Sequence, residues 1–235
     1  MIEPGERILG FNTGCLRSEF RFVGAAKKIK EIGCNAIEIS LRLERLDEGW
    51  LDELKTENLA GFDYVSLHAP RYDFDKDEKS AAILSRIKKF SAEVRKLDMV
   101  VFHPDGILDF SVLQESSLPI GVENMDQRKE TYRTVEDMKK LLSDYPDFAL
   151  VFDTNHAFVN DNSYKLGREF VEKLGDRIKE IHLSGFKILH DPIFETRQIE
   201  MIQTISGLDV PIIVESDVTS ENIVQERQYV LDNLK

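Results

Sequence analysis

Apolar residues recur along this chain in two alternating rhythms. Short unbroken apolar runs alternate with longer stretches in which apolar residues return every three or four positions. The first rhythm is that of strands covered on both faces, the second that of helices with one buried side. The runs predict strands at Ile8–Thr13, Ala36–Ser40, Tyr64–Leu67, Met99–Phe102, Pro119–Val122, Phe148–Phe152, Ile178–Leu183 and Pro211–Val214. Between them, helical spacing predicts Phe22–Ile32, with Gly33 as its stop, and a polar helix carrying Trp50, Leu51 and Leu54. A long helix is expected over Glu78–Leu97, with Ala82, Ile83, Ile87, Phe90 and Val94 on one side. The link Ile107–Gln114 holds only about two turns. Later helices are expected at Val135–Leu142, Tyr164–Leu174, Phe194–Ile205 and Ser220–Leu234.

Strands and helices that alternate at this spacing make βαβ units. The expected fold is therefore α/β, a single (β/α)8 TIM barrel spanning residues 1–235 as one domain. A doubly wound open sheet is the alternative, and it needs a glycine-rich phosphate loop after an early strand. Asn12-Thr13-Gly14 is too little for one.

Barrels of this kind carry their chemistry at the C-terminal ends of the strands. The residues at those positions are His68, His103, Glu123, Asp153 with His156 close behind, His182 and Glu215. His190 follows in the loop after the seventh predicted strand. The chain has 5 histidines, and all of them fall on this one face. A single histidine at a strand end is usually a hydrogen-bonded core or rim residue, and a single buried glutamate often pairs with arginine. Five imidazoles and three carboxylates at matching points call for a common cause, a polynuclear metal site. Imidazole with carboxylate suits zinc, manganese, iron or cobalt. Two or more divalent ions are expected, zinc or manganese foremost. Glu38, at the end of the second predicted strand, is either a further site residue or a supporting hydrogen-bond partner.

Composition adds limits. Acidic residues outnumber basic ones, 43 against 31, for a net charge of −12. That balance argues against broad, non-specific binding to nucleic acid or anionic membrane. No apolar run is long enough for a membrane span and no signal pattern opens the chain, so a cytoplasmic protein is expected. Cys15 and Cys34 lie in or beside apolar segments and read as small buried hydrophobes, not a disulfide. No protein partner is evident.

The strand-end segments resemble those of the xylose-isomerase-like barrels, a superfamily that includes endonuclease IV and the sugar isomerases and epimerases. Phe152-Asp153-Thr154-Asn155-His156-Ala157-Phe158 is similar to the endonuclease IV stretch around Asp-Thr-Cys-His-Ala-Phe. Ser66-Leu67-His68-Ala69-Pro70, Val101-Phe102-His103-Pro104, Gly121-Val122-Glu123-Asn124 and Ile213-Val214-Glu215-Ser216 resemble its other ligand segments. The resemblance implies that His68 and His103 hold one metal, with Glu123 bridging to a second held by Asp153, His182 and Glu215. It implies that His156 serves a third metal in the nuclease, or substrate oxygens in the epimerases. The chain departs from the nuclease after the seventh strand. Lys187-Ile188-Leu189-His190-Asp191 offers a histidine but no aspartate two residues before it.

Two reactions follow from this ligand set. Hydrolysis of a phosphoester, in a sugar phosphate or abasic DNA, uses two metals, with Glu123, Glu215 and His156 as the catalytic groups. Arg17, Arg42, Arg71, Arg128 and Lys187 fall in active-face loops and can hold phosphate, although each is more often a solvated surface charge. Tyr72 and Phe74 either stack on substrate or cover the rim. Sugar isomerisation or epimerisation uses one metal on Glu123, Asp153, His182 and Glu215, with the two glutamates as opposed acid and base. That scheme leaves His68 and His103 without a task. It also meets Lys129 where similar epimerases often carry a second glutamate. Hydrolysis is the leading expectation. A non-catalytic metal-binding scaffold ranks last, because so many ionisable groups in one barrel mouth are costly to keep unpaired.

Overall fold

The computed structural model describes residues 7–234. Eight parallel strands close into a barrel in strict chain order: β1 Leu9–Asn12, β2 Ala36–Ser40, β3 Tyr64–His68, β4 Met99–Phe102, β5 Ile120–Glu123, β6 Ala149–Asp153, β7 Ile178–Leu183 and β8 Ile212–Val214. Closure is made by β1 against β8, with Leu9 beside Ile212 and Phe11 beside Val214. The open-sheet alternative is excluded.

Side chains alternate across each strand. Outward residues such as Phe11, Ile37, Ile39, Val65, Leu67, Val100, Phe102, Leu150, Phe152 and Ile181 belong to the main core beneath the helices. Inward residues fill the barrel. At its floor Met99, Val101 and Val151 form a separate cluster with Tyr64 and Ala149. Gly121 lies in this layer because a Cβ there would come within 2.7 Å of both Met99 and Val151. Higher up, the same inward rows turn polar. Met99 and Val101 lead to His103, Tyr64 and Ser66 to His68, and Ala149 and Val151 to Asp153. The two-residue period thus delivers the strand-end residues to one place.

The helices differ most from expectation in four places. The long one ends at Glu93, not Leu97. The chain must turn back to the barrel there, and Asp98 accepts the Val65 backbone N–H at 2.9 Å. The region around Trp50 is three short helices, Leu43–Asp47, Trp50–Glu53 and Thr56–Leu59. Phe194–Ile205 is broken into Ile193–Thr196 and Ile199–Ile205 by Arg197, whose φ of 60° is left-handed. The fourth is an unexpected helix, Thr154–Asn160, directly after β6. Asp153 is its N-cap, accepting the His156 backbone N–H at 2.8 Å. Among the described residues, no helix is long and apolar enough to cross a membrane.

Candidate metal centre

Three side chains converge at the barrel mouth. His68 Nε2 lies 3.2 Å from Glu123 Oε2, and His103 Nε2 lies 3.2 Å from the same oxygen. The two imidazole nitrogens are 3.1 Å apart. The tautomer of His68 is set by its other nitrogen. Nδ1 is 3.1 Å from the Ala69 carbonyl, which only accepts, so Nδ1 carries a hydrogen and Nε2 is the nitrogen turned to Glu123 and His103. Two imidazole nitrogens and a carboxylate oxygen this close share a cation, which is a proton on His68 in the metal-free protein and a metal where one takes its place. Ligand atoms about 2.0–2.1 Å from a tetrahedral ion lie roughly 3.3 Å apart. The three atoms fit that spacing.

A second set lies deeper. His182 is fully buried, with Nε2 2.9 Å from Glu180 Oε1 and 3.2 Å from Glu38 Oε2. Its Nδ1 is buried without a hydrogen-bond partner. That orphaned atom lies 3.7 Å from Glu215 Oε1 and 3.8 Å from Glu123 Oε2. An imidazole held by carboxylates on one nitrogen and aimed at two more carboxylates with the other has the form of a metal ligand and its support. Glu123 belongs to both sets.

Asp153 and His156 form the third part. His156 Nδ1 is 2.8 Å from the Asn124 carbonyl and 3.0 Å from Glu123 Oε1, and 3.6 Å from Asp153 Oδ2. Nδ1 therefore carries a hydrogen whether the ring is neutral or charged. Nε2 is the free nitrogen, 3.9 Å from Asp126 Oδ2. The structure brings Asp153 together with Glu123 and His156, and Glu215 together with His68 and His182. His190 stands apart from these groups. Its Nδ1 is 3.0 Å from Ser184 Oγ, and its ring centre is 6.3 Å from that of His156.

A cavity of about 440 Å³ opens over these groups, bordered by His68, His103, Glu123, His156, His190 and Glu215. Arg17, Arg42, Arg71 and Arg128 also line it. Two of the four are committed: Arg17 is paired with Asp217 at 2.5 Å and Arg128 with Asp126. Arg42 and Arg71 have no carboxylate partner among the described residues. A side cavity of about 370 Å³ shares Ala69, Arg71 and His103 with the first. Within it Lys129 is paired with Asp105. Lys187 is exposed and borders neither cavity. Phe74 is buried against Phe102, so it covers the rim; Tyr72 lines the side cavity.

Asn12, Glu180, Asn124 and Asp126 complete the site and are not apparent from the strand-end pattern alone. A signal exists for the first two. Asn12 ends the inward row of β1, and Glu180 precedes His182 by two residues on the inward row of β7. Asn124 and Asp126 lie beyond β5, where no period applies.

Burial alone would lower the His68 imidazolium, but the hydrogen bond to Glu123 and the charges of Glu38, Glu123 and Glu215 outweigh it, raising its pKa to about 9. Burial is likewise outweighed at His156 by Asp153 and Glu123, which raise it to about 10. Burial pushes Asp153 up to about 6. Both imidazoles sit above the ordinary 6.5. Their contribution to the metal-free fold is therefore complete below that value and fades as pH rises through about 9 to 10. A metal must displace these protons. The melting-temperature gap between zinc-loaded and metal-free protein is expected to widen from pH 6 to pH 9. Calorimetry in buffers of different ionisation enthalpy should show proton release. A constant gap with no proton release would remove these histidines from the ligand set.

No family model matches the chain, and no curated protein matches it in sequence. Solved structures do match in fold. The IolI protein with a bound zinc atom aligns with a TM-score of 0.68 at 17% identity, over 96% of this chain and 97% of that one. The 3-keto-D-glucoside 4-epimerase of E. coli gives 0.64 at 14% identity, over 97% and 99%. A family 2 AP endonuclease from Brucella melitensis gives 0.62 at 11% identity, over 95% and 99%. At these identities the likeness establishes the fold alone, a closed (β/α)8 barrel shared with these proteins over nearly the whole chain.

Proposed function

We propose that this chain is a metal-dependent hydrolase that cleaves the phosphoester of a small sugar phosphate. The observation that carries the reading is the His68–His103–Glu123 triangle, a ligand set additional to His182 and Glu215 and joined to them through Glu123. Two divalent ions held there would supply the Lewis acidity that in-line displacement at phosphorus requires. Glu123 has both oxygens engaged by histidines, so it serves as a ligand. Glu215 keeps part of its side chain, 14%, open to the cavity and is the group placed to take a proton from water. His156 turns its free Nε2 away from Glu123 and is available to the substrate. Arg42 and Arg71, without a carboxylate partner among the described residues, are the cations left at the cavity to hold the phosphate.

The size of the cavity and the neutralisation of Arg17 and Arg128 favour a small substrate over abasic DNA. A second reading, sugar isomerisation or epimerisation, is favoured by the epimerase among the fold likenesses. The experiment measures phosphate release from a panel of sugar phosphates, alongside solvent-deuterium incorporation into free sugars, using manganese- or zinc-loaded protein. Phosphate release that His103→Ala abolishes is the expected result. Deuterium incorporation that survives His103→Ala would select the isomerase reading. The hydrolytic rate should change little between 50 and 200 mM salt, because a DNA substrate making many phosphate contacts would lose about 10³-fold in affinity over that range.

A further inference from the structure

Both His182 and Glu215 are oriented from behind by one residue that is not itself placed to bind a metal at the mouth. Glu38, fully buried on the inward row of β2, spends its two oxygens on separate tasks. Oε2 is 3.2 Å from His182 Nε2 and 3.4 Å from Ser66 Oγ. Oε1 accepts a hydrogen bond from Asn12 Nδ2 at 2.5 Å. The same Asn12 nitrogen donates to Glu215 Oε1 at 2.9 Å. The orientation of the Asn12 amide is fixed, because its Oδ1 accepts the Gly14 backbone N–H at 2.6 Å. Asn12 therefore faces both carboxylates with hydrogens and links them.

We propose that Glu38 is a positioning residue that aims two metal ligands at once, His182 directly and Glu215 through Asn12. The inference rests on the metal-centre reading and names the internal support of that centre. Carboxylates accept and do not donate when ionised, so their presence at Nε2 keeps the hydrogen there and leaves Nδ1 as the ligand atom. Glu180 Oε1 takes the hydrogen bond of Nε2, at 2.9 Å, with Glu38 Oε2 beside it at 3.2 Å, but among the described residues Glu180 has no link to Glu215, and its Oε2 is buried without a partner. Glu180 thus duplicates one arm of the arrangement. Loss of Glu180 leaves Nε2 with an acceptor. Loss of Asn12 frees Glu215 alone. Loss of Glu38 loosens both ligands.

The test is cobalt binding by the full chain, followed by the visible d–d absorption and by competition with a chelator. Supporting partners of metal ligands are typically worth about 10–100-fold in affinity. Glu38→Gln is expected to weaken cobalt binding by that factor and to alter the absorption envelope. Asn12→Ala should cost about 10-fold, and Glu180→Gln less than Glu38→Gln. Circular dichroism of the metal-free variants checks that each is folded. A folded Glu38→Gln protein that binds cobalt within threefold of wild type overturns the inference. So does a larger loss in Glu180→Gln than in Glu38→Gln. Should Glu38→Gln fail to fold, Asn12→Ala decides, and unchanged affinity in that variant overturns the proposal. Wild-type protein that binds no cobalt rejects the metal centre itself, whereas tight wild-type binding indifferent to Glu38 rejects only the positioning role.

Discussion

Glu123→Gln is expected to lower turnover by about a thousandfold or more and to strip the protein of at least one metal. Loss of the charge stabilisation that a bound metal gives the transition state removes several kcal/mol, and every 1.4 kcal/mol is about tenfold in rate. Glu123 is central because it touches every part of the site. Its Oε2 faces His68, His103 and His182, and its Oε1 faces His156. An amide in its place presents one neutral oxygen and one NH2 group. The amide hydrogens would meet nitrogen lone pairs on one side only, and the negative charge that draws a cation between His68 and His103 is gone. The carboxylate is held well below its ordinary pKa: burial works against this, and His103 and His156 overcome it. Elemental analysis and steady-state kinetics on the same preparation check the prediction. Full metal content with more than a tenth of wild-type activity would show that Glu123 neither bridges nor is essential.

Gly10→Ala tests the frame instead of the chemistry. Gly10 sits in β1 beside Ala36 of β2. A Cβ at Gly10 would fall 1.9 Å from the Ala36 carbonyl oxygen and 2.2 Å from its carbon. Backbone cannot rotate aside as a side-chain tip can, so β1 and β2 must separate. Overpacking of this kind costs about 3 kcal/mol at the upper end of the usual range. For a chain of this size that lowers the melting temperature by roughly 6–12 °C. Asn12, two residues along, would shift with the strand, so metal affinity should fall as well. Differential scanning calorimetry and a cobalt titration measure the two effects. A melting temperature within 2 °C of wild type would mean that β1 does not approach β2 as described.

Much of this arrangement is legible in the residues, because one rule governs it. Continuous apolar runs mark strands buried on both faces, and the two-residue period carries each inward row to a polar end. That rule locates all eight strands to within two residues at either end, and β2, β4 and β7 to the residue. It also lists His68, His103, Glu123, Asp153, His182 and Glu215 as neighbours. It fails where a contact made by distant residues decides the outcome. The helix Ile193–Thr196 starts where Glu226, from the far end of the chain, accepts the N–H groups of Ile193 and Phe194. The short helix after β6 is hidden because Asp153 is both a strand end and a cap. The fates of the cations are hidden too. Nothing in the spacing says that Arg17 meets Asp217, that Arg128 meets Asp126, or that Lys187 stands clear of the cavity. Glu180 was open to discovery by counting two residues back from His182.

The order of ligands along the chain has a consequence for how the protein is made. The triangle His68, His103 and Glu123 comes entirely from β3, β4 and β5, while Asp153, His182 and Glu215 come from β6 onward. A nascent chain emerging from the ribosome therefore exposes one complete ligand set when its first half is out. The other set waits until β8 docks on β1. On the proposed two-metal reading, the first ion could bind before synthesis is complete, whereas the second would enter only a barrel that has closed.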